Sequence, residues 1–132
     1  MFSRACLYKK GIEQEARAGD GFLANPLITT VATAGNLTIG LSAIMGGVAR
    51  FTGAAGAVTY TTPTAAAILA ANPEMDIGDS LVFVVVNTAA QAATIAGGTD
   101  VTAVAGNLVV NANSKMFALV KTAATTMDLV SI

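Results

Sequence analysis

Histidine and tryptophan are both absent from this chain, and cysteine occurs once, at position 6. Because histidine is the commonest general base in hydrolytic enzymes, a nucleophile–histidine triad is excluded. A single cysteine cannot close an internal disulfide, and a zinc site needs more ligands than Cys6 provides. The sequence therefore predicts a protein that is not an enzyme and that uses no metal and no cofactor.

Charged side chains are also scarce, since Asp, Glu, Lys and Arg make up 11% of the residues, against 54% for the apolar group. An average soluble domain has about 25% charged residues. Because large exposed apolar patches usually mark contact sites, we expect copies of the chain or a partner to cover much of its surface. The alternative is a monomer whose surface consists of threonine, alanine and glycine.

Two further classes of partner are not expected. The net charge is −1, and only two Tyr and five Phe are available to stack on bases, so the sequence predicts no nucleic-acid binding. The uncharged stretch 21–49 contains Pro26 and five glycines, which a membrane-spanning helix of about 20 apolar residues would not tolerate. The N-terminus has no continuous apolar segment typical of a secretory signal, so we expect synthesis in a cytoplasm.

The few charges are concentrated at one end, with seven of the fifteen in the first twenty residues. This shift predicts an extended N-terminal arm and linker over residues 1–26 and a β-rich domain over residues 27–132. The arm is either a frayed terminus or a segment that orders on a partner or a neighbouring subunit. In the second case the expected partner contacts are Phe2, Arg4, Leu7, Tyr8, Lys9, Lys10 and Arg17.

Short apolar runs alternate with turn residues along the domain, which predicts a mainly β fold: a single β-sandwich or barrel-like antiparallel domain. The run 81–86 is unbroken and apolar, so we expect a central strand buried on both faces. The segments after residue 100 are expected to form a meander. The other predicted strands are 27–32, 37–41, 48–51, 57–61, 91–96, 101–105, 108–110, 115–121 and 127–132.

One short helix is predicted over about 63–72. Thr62 is a suitable N-cap, and Pro63 fits the first helical position. The following residues are good helix formers, and the pair Asn72-Pro73 ends the pattern.

Two acidic turns are the only places where a metal ion is worth considering. Glu74, Asp76 and Asp79 surround a glycine turn and could offer oxygen ligands to calcium, although the spacing lacks the alternation of a calcium loop. The favoured interpretation is a solvated turn in which an aspartate binds its own backbone. The run 97–100, Gly-Gly-Thr-Asp, is interpreted as a hairpin turn rather than a single calcium-binding repeat.

Several segments resemble those of small structural proteins encoded in tailed-phage genomes. They are YTTPTAAAIL at 60–69, IGDSLVFVVVN at 77–87, TIAGG at 94–98 and the last strands around Phe117. The likeness covers about residues 59–132. It implies a β-rich trimeric module of the virion, of the capsid decoration (cement) or head-fibre type.

This resemblance leads to a first functional hypothesis, a homotrimer that binds the major capsid protein or another virion protein and stabilises the head. A second hypothesis places the chain in the tail, the neck or the base of a fibre. A third, from a different class, is a ligand- or carbohydrate-binding module that uses Tyr60, Asp76 and Asp79. Localisation to the virion follows from the first two hypotheses.

Overall fold

The computed structural model describes residues 27–105 and 108–132. The described residues form ten strands and two short helices, so the fold is mainly β, which confirms the predicted mainly β class. The helices are α1 (Leu41–Gly46) and α2 (Ala65–Ala71). The strands are β1 (Leu27–Val31), β2 (Leu37–Thr38), β3 (Gly47–Phe51), β4 (Val58–Thr61), β5 (Ser80–Asn87), β6 (Ala93–Ala96), β7 (Val101–Ala105), β8 (Val109–Val110), β9 (Ser114–Lys121) and β10 (Met127–Ser131).

The first six strands alternate between two sheets. Strands β1, β3 and β5 lie in a six-stranded sheet with the order β1-β3-β5-β9-β10-β7, and β2, β4 and β6 lie in a four-stranded sheet with the order β2-β4-β6-β8. Each strand pairs in parallel with the strand two places earlier in the chain. The chain thus winds through three turns that advance by one strand spacing, about 4.8 Å.

The predicted antiparallel arrangement is therefore wrong for the first six strands. Antiparallel pairs occur only later among the described residues, where β9 pairs with both β5 and β10, and β8 pairs with β6. The predicted meander is also wrong, since β7 pairs in parallel with β10 and β8 lies in the other sheet. The alternation of apolar and polar residues is the same in both arrangements, so it could not distinguish them.

The core lies between the two sheets, where their inward-facing side chains meet. Phe51 of β3 and Tyr60 of β4 stack across the sheets with ring centroids 4.1 Å apart. Phe83 and Phe117 stack on the neighbouring strands β5 and β9 at 5.6 Å. All four rings are buried, so aromatic packing joins both sheets and both halves of the larger one.

Strand β5 differs from its prediction in one respect. Its inward residues Phe83 and Val85 are fully buried, whereas Val82 on the opposite face is 44% exposed. Val84 and Val86 are half-buried. The apolar run is thus covered by the described residues on one face only, and burial on both faces is not observed.

The N-terminal end of α2 is shifted from its predicted position, whereas its C-terminal end lies at Asn72, as predicted. Thr64 is the N-cap, and its Oγ1 accepts a hydrogen bond from the Ala67 N–H at 3.1 Å. Thr62, the predicted cap, continues the ladder of the smaller sheet, because its N–H donates to the Ala96 carbonyl at 2.8 Å. The C-cap is Asn72.

Helix α1 was not predicted, and residues 41–46 replace the end of the expected strand 37–41. Its N-cap is Gly40, which has no side chain to accept a hydrogen bond. At the other end, Gly47 adopts φ 93°, and its N–H donates to the carbonyls of Ala43 and Ile44. Glycine favours such a left-handed C-terminal cap. Because no side chain at the N-terminal end of α1 signals a cap, the sequence did not predict this helix.

The run 97–100 is not a hairpin turn, since β6 and β7 lie in different sheets. The Val101 N–H donates to the Gly98 carbonyl at 3.0 Å, and Asp100 adopts φ 63°. The turn therefore carries the chain from the smaller sheet to the larger one. A Cβ at Gly98 would lie 2.5 Å from the Thr62 carbonyl oxygen, so the close approach of these two segments requires glycine.

Candidate interaction surface

The seven predicted partner contacts all lie outside the described residues. They are Phe2, Arg4, Leu7, Tyr8, Lys9, Lys10 and Arg17, in the segment 1–26. The search for a site is therefore confined to residues 27–105 and 108–132.

The acidic turn at 76–79 is held by its own hydrogen bonds. Asp79 Oδ2 accepts from the Asp76 N–H at 2.9 Å, and the Asp79 N–H donates to the Asp76 carbonyl at 3.0 Å. Gly78 adopts φ 96°, and its N–H donates to the Lys121 carbonyl at 2.8 Å. Among the described residues no three His, Cys, Asp or Glu side chains are grouped so as to hold a metal ion. The geometry supports the interpretation of a solvated turn.

Tyr60 does not offer an exposed aromatic surface. Its side chain is fully buried against Phe51, and its hydroxyl has no hydrogen-bond partner among the described residues. Burial disfavours the phenolate and raises the pKa of Tyr60 above its ordinary value of 10.0. A buried ring of this kind packs the core and cannot stack on a sugar.

A buried amide joins the two sheets at the end of β5. Asn87 is fully buried, and its Nδ2 donates to the carbonyls of Gln91 at 2.7 Å and Val110 at 3.0 Å. Its Oδ1 accepts from the Ala89 N–H at 3.1 Å. Since Val110 belongs to β8 in the smaller sheet, this side chain fixes one sheet against the other. Its role is structural.

The outer face of the six-stranded sheet carries an unusual set of side chains. Nine of its fourteen outward positions across β1, β3, β5, β9 and β10 are apolar. Three of them, Ile28, Val82 and Met116, are 50%, 44% and 44% exposed. We call this surface the valine face. Its members are Ile28, Val48, Val82, Val84, Val86, Met116, Ala118, Val120 and Val130.

Strand register places these residues in rows that cross the sheet. One row consists of Ile28, Val48, Val84 and Met116, which are successive partners on β1, β3, β5 and β9. The next row places Ala118 between Val82 and Val130. Ala118 is only 8% exposed although it lies outside the core, because these larger neighbours flank it.

Polar residues border the valine face at both ends of its strands. Six strands have five spacings of about 4.8 Å between them, and four rows of outward side chains have three spacings of about 6.8 Å. The bordered surface is therefore about 24 Å by 20 Å, a footprint of roughly 500 Å². It contains one positive side chain, Arg50, and one negative side chain, Asp128, at opposite corners. We call these border residues the polar rim: Thr30, Arg50 and Ser114 at one end, and Ser80, Thr102 and Asp128 at the other.

The outer face of the smaller sheet has different chemistry. Register places Thr61 between Thr38 and Ala96, and Thr59 beside Thr94. We call the four threonines at positions 38, 59, 61 and 94 the threonine face. Their hydroxyls can exchange hydrogen bonds with water, so this face needs no cover.

The valine face offers no group for catalysis or metal binding, and what it can do is bury apolar surface. Sequence analysis predicted that much of the surface would be covered, but it located the contacts in residues 1–26. The signal that could have located the face is the unbroken run 81–86, since the described chain covers only one side of that strand.

No family model, no curated protein and no solved structure matches this chain. In the part of the chain that the structure describes, no helix is long and apolar enough to cross a membrane.

Proposed function

We propose that this chain is a structural virion protein, a capsid decoration protein that forms a homotrimer on the outer capsid surface and stabilises the head. The observation that carries the proposal is the valine face with its polar rim. An apolar centre surrounded by polar residues is the usual composition of a protein–protein interface. Such a surface is suited to assembly.

The stabilising mechanism is burial of apolar area between subunits and against the particle. At about 25 cal/mol per Å², a standard interface of roughly 1,600 Å² supplies a gross energy of tens of kcal/mol, most of which offsets the entropy lost on association. Repeated over many copies, even a small surplus at each contact resists the outward pressure of a packaged genome.

Residues 1–26 have a separate role in this proposal, which is attachment to the particle. They carry seven of the fifteen charges, and their cationic and aromatic side chains are the kinds that anchor an interface. The partner is the major capsid protein or another virion protein. The domain from residue 27 onward then supplies contacts between copies.

The test is the mass of the purified full chain in solution, followed by co-sedimentation with empty capsid shells and, separately, with purified tails. A trimer that sediments with shells supports the proposal. A 13.2 kDa monomer at micromolar concentration that binds neither particle would refute it, and binding to tails alone would place the protein in the tail instead. Deleting residues 2–20 is expected to weaken shell binding more than about tenfold, because the charged contacts are lost.

A further inference from the structure

Strand β5 has an apolar side that no described residue covers. Sequences of this kind, without polar alternation, belong to strands that are buried on both faces. Phe83 and Val85 meet the core, whereas Val82, Val84 and Val86 belong to the valine face. None of the half-buried apolar residues that pack against the core belongs to the valine face. They are Val31, Leu37, Leu41, Leu69, Leu81 and Leu108. Val82 is 44% exposed and Val84 and Val86 are half-buried, so this side of β5 is partly open to solvent in the single chain.

We propose that a second copy of this chain covers the valine face, so that this face is the contact between subunits. The inference rests on the self-association proposed above and names the surface responsible for it. Three candidates exist for this cover: a second copy, residues 1–26 of the same chain, and the virion partner, which the proposed function places against residues 1–26.

Charge decides against residues 1–26. That segment has seven charged residues, and no uncharged run within it exceeds six residues. Spreading it over a surface about 24 Å by 20 Å would place charges against valine, and burying an unpaired charge is costly. A second copy presents a surface of the same apolar chemistry instead.

The size of the valine face can be compared with what a contact between two copies requires. The accessible area of a corrugated surface exceeds its flat footprint, and the footprint here is roughly 500 Å². One partner contributes about 800 Å² to a standard stable interface. Before its corrugation is counted, the whole face with its rim supplies roughly three-fifths of that area.

Charge placement on the rim is also complementary. Arg50 lies on β3, in the half of the face formed by β1, β3 and β5, and Asp128 lies on β10 in the other half. A contact in which one half meets the opposite half of the next copy therefore contains one positive and one negative side chain rather than two like charges. This arrangement suits a three-fold ring, because each contact in a ring joins two different patches of the subunit.

The first experiment compares Val84→Asp on the valine face with Thr94→Asp on the threonine face. Both changes place a carboxylate at an outward strand position. Val84→Asp is expected to raise the dissociation constant between subunits by at least about a hundredfold, because the contact would bury an unpaired charge. Thr94→Asp is expected to leave the mass unchanged. Mass is measured by light scattering after gel filtration, with circular dichroism to check the fold.

A second measurement uses the unmodified protein, so it does not depend on the folding of a variant. Met116 on the valine face and Met45 on α1 have similar exposure in the single chain, 44% and 41%. In the assembled protein, peroxide is expected to oxidise Met116 at least about threefold more slowly than Met45, as read by peptide mass spectrometry. The Met45 sulfur accepts from Asn72 Nδ2 at 3.3 Å, which would slow Met45 and make the comparison conservative.

The outcomes separate this inference from the proposed function. An oligomer that keeps its mass with Val84→Asp, or in which Met116 reacts as fast as Met45, would overturn the inference while leaving the proposed function standing. A monomeric wild type that still binds shells would overturn the inference and the proposed homotrimer but leave attachment to the capsid standing, with residues 1–26 then the cover to examine. A monomer that binds no particle would overturn both.

Discussion

The two sheets of this protein share one winding of the chain but have opposite outer surfaces. Valine is the commonest residue at the outward positions of the larger sheet, and threonine is the commonest at those of the smaller sheet. Valine and threonine have nearly the same shape and both favour strands, so either residue is compatible with the same strand backbone. What differs is the hydroxyl, which lets one face remain in water and leaves the other in need of a cover. In the proposed assembly, fold and association therefore depend on different features of the same strands.

The largest expected effect comes from replacing Asn87, whose buried side chain joins the two sheets by hydrogen bonds. Replacing Asn87 with leucine leaves the carbonyls of Gln91 and Val110 and the N–H of Ala89 without their buried partner. We expect the free energy of unfolding to fall by about 3 kcal/mol. Urea denaturation of the two proteins measures the difference.

The matched control for this change is Asn111→Leu, at an exposed position in the loop between β8 and β9. Its effect should stay within about 0.5 kcal/mol. Equal losses for both variants would mean that the Asn87 hydrogen bonds do not fix one sheet against the other.

Making the threonine face resemble the valine face should change assembly rather than folding. In the triple variant Thr59→Val, Thr61→Val and Thr94→Val, the smaller sheet acquires a second apolar outer surface. Because an apolar patch of this kind promotes association, we expect particles heavier than the wild-type assembly, increasingly so at high sulfate concentration. Light scattering at several protein concentrations measures this. An unchanged mass would show that outer apolar surface alone does not drive association in this protein.

A smaller effect is expected on the inner side of the threonine-face strand β4. Tyr60→Phe removes a buried hydroxyl that has no partner, so the variant should be about 1 kcal/mol more stable than wild type at neutral pH. A loss of stability would mean that the hydroxyl has a bonded partner in solution.

The same variant gives a pH test with a definite sign. Burial raises the folded-state pKa of Tyr60, so above about pH 10 the unfolded chain loses this proton while the folded chain keeps it. Wild-type stability should therefore fall more steeply above pH 10 than that of Tyr60→Phe. Parallel slopes in thermal melts at pH 9 to 11 would contradict this.

The smallest expected effect concerns the acidic turn, which belongs to neither face. The double change Asp76→Asn and Asp79→Asn keeps an acceptor oxygen at position 79 for the Asp76 N–H bond. We expect the assembled mass to stay the same, and addition of a chelator to leave the melting temperature of wild type unchanged. A melting temperature that drops on chelation would point to a calcium ion at this turn.

Part of the architecture was predictable because it depends on local patterns. Period-two alternation and turn residues located the strands to within a few residues, and alanine-rich residues after a threonine located α2. Helix α1 was missed because its N-cap, Gly40, carries no side chain that could signal a cap. The valine face was not located, since the run 81–86 predicts burial on both sides of a strand without saying what lies on each side.

What the sequence by itself determined is the mainly β fold, the position of most strands, and an apolar surface too large for the few charges to cover. These follow from side-chain chemistry and from the two-residue repeat of a strand, which are properties of neighbouring residues. Only the tertiary structure decided that the first six strands pair in parallel and that Asn87 joins the sheets. It also decided that valines from five separate strands form one face. Pairing depends on which distant segments meet, and that choice is made by the packing of the whole core rather than by any local pattern.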